Sequence, residues 1–134
     1  MSATIIALAG YIGWTILLTL VLIGYRSVIV AKGQKAANEF SASGDDVTAL
    51  GLRLTRAQAN CIESFPIVGG TLLLSLAIEQ QALTDSLALA VFAARLAQSC
   101  VHILSTAVIA VQLRLAFFLV QLGICLYWLT LFIL

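Results

Sequence analysis

Charge is scarce in this sequence. Seven Lys and Arg and six Asp and Glu stand among 134 residues, 10% of the chain, and they leave a formal net charge of +1. A nucleic-acid surface needs clustered Lys and Arg that carboxylates do not cancel, and nothing basic is left over for that task. Proline occurs once, at Pro66, and histidine once, at His102. No repeat, low-complexity tract or soluble domain is visible. Cys61, Cys100 and Cys125 all lie in apolar segments with no CxxC or Cys/His ligand spacing, so neither a disulfide framework nor a metal site is expected. They read as small core residues. No basic region precedes the first apolar stretch and no small-residue cleavage site follows it, which marks a retained span in place of a signal peptide.

What the chain has in excess is apolar surface. Hydrophobic residues make up 62% of it, and the mean hydropathy is +1.10, far outside soluble globular composition. An integral membrane protein is the consequence. A span needs about 20 mostly apolar residues to cross about 30 Å of hydrocarbon. Four segments qualify within one domain covering residues 1–134, at about 3–30, 53–78, 84–108 and 114–134, which makes the fold class an all-α bundle of four transmembrane helices. Thr84 and Asp85 have the chemistry of an N-cap for the third helix. Ser43 with Asp46 has the spacing of a capping box that opens the second helix ahead of the membrane. No Gly or Pro separates the third span from the fourth.

Arg26, Lys32, Lys35, Arg53 and Arg56 flank the long first loop, and Arg114 sits at the third connection. The EQQALTD connection and both termini carry no Lys or Arg. By the positive-inside rule the first and third loops face the cytoplasm and both termini face the other side; in a bacterium the membrane would be the inner, or plasma, membrane.

On a helix of 3.6 residues per turn, Arg53, Arg56, Asn60 and Glu63 form one stripe, and Arg95, Gln98, His102 and Ser105 form another on the third helix. At about 1.5 Å per residue, Glu63 and Arg95 come to similar depth, where a lone charge would cost several kcal/mol. A Glu63–Arg95 pair facing the bundle interior is therefore expected, with Asn60, Gln98 and His102 nearby. Pro66 removes a hydrogen bond to the carbonyl of Ile62, and a kink there is expected to open a cavity wall at the depth of the polar stripe. Single residues have plainer readings: His102 as a satisfied interior histidine, Asn60 and Gln98 as interhelical hydrogen-bond partners, and the isolated cations as interfacial anchors. The convergence of Arg56 and Arg114 near the cytoplasmic mouth, with a polar stripe leading down from them, is the layout of a funnel for an anionic ligand.

The stretch RAQANCIESFP, Arg56 to Pro66, resembles the second-helix signature of the MAPEG family, the membrane-associated proteins of eicosanoid and glutathione metabolism. It is similar to the R-A-Q-x-N-C-x-E-x-F-P pattern of that family's leukotriene C4 synthase and microsomal glutathione transferase branch. QLRLA around Arg114 and RLAQSCVH after Arg95 are similar to that branch's fourth-helix start and third-helix pattern. The resemblance covers nearly the whole chain. It implies a homotrimer with four helices per subunit and glutathione, as co-substrate, bound between adjacent subunits near the cytoplasmic side. Arg56, Asn60 and Glu63 would hold the tripeptide's charged ends, Arg95 would join them, and Arg114 would sit by the thiol as the catalytic residue. Arg53, Gln98 and His102 extend that binding set. Lys35 falls where other members place an arginine at the cytoplasmic end of the first helix, with Arg26 and Lys32 as competitors for the role. The chain departs from the pattern at Gln98, His102 and Ser64, each standing where members of the branch have an aromatic ring or, at one position, histidine.

Three functions follow. The first is a glutathione-dependent transferase or peroxidase acting on lipophilic electrophiles that arrive from membrane lipid. Its chemistry needs a thiolate, which Arg114, expected at the start of the fourth helix, would favour through its own charge and the helix N-terminus. The second is a non-catalytic lipid-binding or scaffold protein on the same fold, which the lost rings favour. The third is a small exporter with Glu63 as the proton-coupled carboxylate, against which the extended motif argues.

Overall fold

The computed structural model describes residues 1–44 and 48–134. Four helices follow one another: α1 (Ala3–Ala31), α2 (Ala49–Ala77), α3 (Gln81–Leu104) and α4 (Val108–Ile133). Each is long and apolar enough to cross a membrane. The chain is an all-α protein with four membrane-spanning helices and, among the described residues, no strand. Residues 78–80 and 105–107 are all that connects α2 to α3 and α3 to α4, so each packed pair runs antiparallel. α3 packs against all three other helices, whereas the backbones of α1 and α4 are not neighbours among the described residues.

In lipid the tails are as apolar as the helices, so association rests on close packing and interhelical hydrogen bonds. The sequence supplies both. Small residues are buried on α2 (Ala57, Cys61, Ser64, Gly69) and α3 (Ala88, Val91, Ala94), and the core they form is closed by Tyr11 and Trp128. Gly10 is the tightest approach of α1 to α3, where an added Cβ would land 2.6 Å from the Phe92 ring. α2 buries the largest share of its surface and α4 the smallest, and α4 presents Leu113, Leu115, Leu119, Val120 and Leu126 outward.

Helix ends account for the differences from the expected boundaries. α2 starts at Ala49, with Thr48 Oγ1 accepting from Gly51 N at 3.1 Å; Asp46, the expected partner of Ser43 in a capping box, lies outside the described residues. The Tyr25 hydroxyl of α1 also bonds to Thr48 Oγ1. α1 and α2 both end in a six-to-one backbone turn: Gln34 N donates to Ile29 O at 3.2 Å, and Gln80 N donates to Ser75 O at 2.8 Å. The left-handed residue is Gly33 (φ 71°) in the first turn and Glu79 (φ 59°) in the second, a position that costs a non-glycine residue about 1–2 kcal/mol.

α3 begins at Gln81, so Thr84 and Asp85 do not cap it. They cap its neighbour. Asp85 Oδ1 accepts from Thr4 N at 2.9 Å and from Thr4 Oγ1 at 2.6 Å, satisfying the first turn of α1. Thr84, fully buried, joins Thr4 Oγ1 at 2.6 Å and Ser75 Oγ at 2.9 Å. α4 begins at Val108, so Arg114 lies six residues, about 9 Å, inside the helix and not at its N-terminus. The helix dipole, which fades within the first turn, gives it no help there.

Candidate functional site

Arg56, Asn60, Gln98, His102 and Arg114 line one cavity of about 330 Å³, together with Val111, Leu115 and Phe118. It opens between α2, α3 and α4 at the end of the bundle where α1 ends and α2 begins. Arg56 and Asn60 are four apart on α2, Gln98 and His102 four apart on α3, and each pair shares a helix face. Arg114 Nη1 and His102 Nδ1 are 2.9 Å apart. A guanidinium can only donate, so Nδ1 accepts, and the neutral ring carries its proton on Nε2.

Behind the cavity lies Arg95, with no exposed surface at all. Its Nη1 donates to Asn60 Oδ1 at 2.6 Å and its Nε to Gln121 Oε1 at 3.1 Å, and its Cζ stands 5.6 Å from the centre of the Tyr11 ring. Glu63 is not its partner. That carboxylate is exposed, one turn beyond Asn60 at the outer edge of the α2 stripe, and the neutral amides of Asn60 and Gln121 take the place expected for it. Similar depth did not suffice because the two side chains leave their helices in different directions. Arg95 Nη2 and Ser99 Oγ are buried without a partner among the described residues.

Two further expected site residues stand apart. Arg53 Nε donates to the carbonyl of Ile103 at 2.7 Å and so holds the C-terminal turn of α3. Lys35 lies in the loop after α1, with Nζ donating to Glu39 O at 2.9 Å and 5.6 Å from the centre of the Phe40 ring. Arg26 packs on the same ring at 5.3 Å. Ser105 ends α3 and accepts from Ala107 N at 3.1 Å. Of the cysteines, Cys61 and Cys125 are buried as expected, but Cys100 is exposed.

Pro66 sits inside an unbroken α2 and does not border the polar cavity. It lines a separate apolar groove of about 300 Å³ with Ile12, Thr15, Ile16, Ile62 and Phe65. At about 100° per residue, Ile62 and Pro66 stand about 200° and 240° round the helix from Asn60, so both face away from it. The hydroxyl of Tyr11 meets this turn of α2, donating to Cys61 O at 2.9 Å and lying 2.7 Å from Ser64 Oγ.

Sequence reasoning missed Gln121 and Tyr11, both fully buried. Gln121 Nε2 donates to Gln98 Oε1 at 2.8 Å and to Phe117 O at 2.9 Å. The signal was present as an amide in the middle of an otherwise apolar span, where a polar group must find partners.

No curated protein and no solved structure matches the chain. The family model for MAPEG matches residues 4–134, essentially its full length, and every motif lining the polar cavity lies within that match. The chain belongs to the MAPEG family.

Proposed function

We propose that the polar cavity binds glutathione and that the protein is a glutathione-dependent transferase or peroxidase acting on lipophilic electrophiles from the bilayer. Membership of the family fits glutathione-related or eicosanoid metabolism in general. The observation that carries the finer reading is the composition of the cavity wall. Arg56 and Arg114 bring two guanidinium groups, Asn60 and Gln98 bring amides, and no carboxylate stands among the lining residues. A pocket so rich in donors suits a ligand with carboxylates and an ionisable thiol. Arg114 is the group to hold a sulfur as thiolate, because its charge is permanent and favours the anion of a thiol whose ordinary pKa is about 8.5. Arg56, Asn60 and Gln98 would fix the carboxylates, and Arg95 would act from behind through Asn60. When bound, glutathione supplies the sulfur nucleophile.

A volume of about 330 Å³ is at the small end for a ligand site, commonly about 300–1,000 Å³. Arg56, on the cavity wall, and Glu63, about two turns further along α2, are both exposed, and an uncovered carboxylate in a membrane span is costly. These features support a homotrimer in which a neighbouring subunit closes the site and brings an acceptor for the ligand's amine. The cationic end, with Arg26, Lys32, Arg53, Arg56 and Arg114, would face the cytoplasm.

One observation favours a second reading. Arg114 is already engaged by His102, and Gln98, His102 and Ser64 stand where related members offer rings or histidine, which suits binding without turnover. The test is retention of the detergent-purified protein on immobilised glutathione, followed by conjugation of an aryl halide. Retention with turnover is expected. Retention alone would favour the non-catalytic reading, and no retention would remove glutathione from the function.

A further inference from the structure

Arg95 is an obligate donor, and its bonds order every amide around it. Gln121 Oε1 faces Arg95 Nε, so Gln121 Nε2 must point the other way, where it donates to the Phe117 carbonyl and to Gln98 Oε1. With its oxygen occupied, Gln98 turns its Nε2 to Asn60 Oδ1 at 3.2 Å. Asn60 Oδ1 thus accepts from both Gln98 and Arg95. Its Nδ2 has no partner among the described residues, and Asn60 lines the cavity.

The geometry points to Gln121 as a positioning residue that fixes the Asn60 amide with its oxygen inward and its N–H groups available to the cavity. Gln121 is wholly buried on α4, is not among the residues lining the cavity and reaches its wall only from behind, through Gln98. It acts by two routes: through Arg95, whose Nε it anchors, and through Gln98, whose oxygen it occupies. Were the Gln98 amide reversed, its oxygen would meet Asn60 Oδ1, and Asn60 could satisfy Gln98 only by turning its own nitrogen inward and giving up its bond from Arg95 Nη1. The cavity would then gain an acceptor where it now offers a donor, and an anionic ligand would bind less well. Gln121 therefore sets the anion preference of a surface it does not reach. The effect on glutathione rests on the function proposed above; the orientation of Asn60 does not.

Asn38 and Asn60 are the only asparagines in the chain, so ¹⁵N-asparagine labelling gives two side-chain amide pairs by NMR in detergent. Gln121→Met keeps the length of the side chain and removes both routes. Gln121→Glu keeps an acceptor for Arg95 but cannot donate to Gln98, so it should not rescue. In both variants the Asn60 pair is expected to shift while the exposed Asn38 pair stays. Glutathione affinity should fall about tenfold, with the rate at saturating glutathione within about twofold of wild type, the split expected of a residue acting on binding alone. If Gln121→Met does not fold, Gln121→Glu decides. An Asn60 pair unmoved in the folded variants, or wild-type affinity in Gln121→Glu, would overturn the relay. If the wild-type protein binds no glutathione, the functional reading falls, and the Asn60 shift alone decides the positioning.

Discussion

The bundle has a polar cluster near each end, and they are wired in opposite senses. At the α2–α3 turn the relay ends on an acceptor. Asp85 can only accept, so Thr4 donates to it, Thr84 donates to Thr4, and Ser75 donates to Thr84. Thr84 Oγ1 also has the Gln81 carbonyl at 3.1 Å, so every hydroxyl proton has an acceptor within the cluster, and Thr4, Ser75 and Thr84 are fully buried. At the other end the relay starts on a donor, Arg95, and finishes on Asn60 beside a cavity, with Arg95 Nη2 still without a partner. The first cluster closes on itself and ties α1 to α2 and α3. The second has donors to spare, so of these two clusters it is the one suited to an anionic ligand. Polarity within a span does not by itself mark a site; unspent hydrogen-bonding capacity does.

Substitutions sharpen this contrast. The largest effect is expected from Arg95→Leu, which leaves the inward oxygens of Asn60 and Gln121 without their charged donor. Hydrogen bonds to a charged group contribute about 1.5–3 kcal/mol each, so a loss of about 3 kcal/mol or more should appear in thermal melting, together with loss of glutathione retention. Melting close to wild type would show that the donor-headed relay contributes little to the fold.

Arg114→Ala should leave binding through Arg56 and Asn60 in place. Turnover is expected to fall about 100-fold, about 2.7 kcal/mol, and the thiolate absorbance seen on mixing with glutathione should vanish. An unchanged rate constant would remove Arg114 from the mechanism.

Thr84→Val breaks the closed cluster in its middle and should cost about 1–3 kcal/mol of stability as buried hydroxyls lose a partner. Glutathione affinity and rate should not change, since that cluster lies at the far end of the bundle. A selective loss of binding with unchanged melting would show that the two ends are coupled. The smallest effect belongs to Lys35→Ala. Because the structure keeps Lys35 in the loop, on Phe40 and the Glu39 carbonyl, affinity for glutathione should change by less than about twofold in a titration.

Composition and apolar run length alone determined that the chain is a four-span membrane bundle, because the hydrocarbon thickness sets how long an apolar helix must be. The motif around Arg56 and Asn60, and the four-residue spacing of Gln98 and His102, were equally legible as shared helix faces. Helix boundaries were not: α3 and α4 each start earlier than expected, with no side-chain cap, and Asp85 spends its cap on α1, a partner 81 residues away in sequence. Arg53 showed the right spacing and Arg95 the right depth, yet tertiary packing sent Arg53 to a helix end and Arg95 to Asn60 and Gln121 in place of Glu63. Spacing fixes which face of a helix a side chain occupies. Which group it meets depends on how neighbouring helices are rotated against that face, and here small-residue packing and obligate donors made that choice.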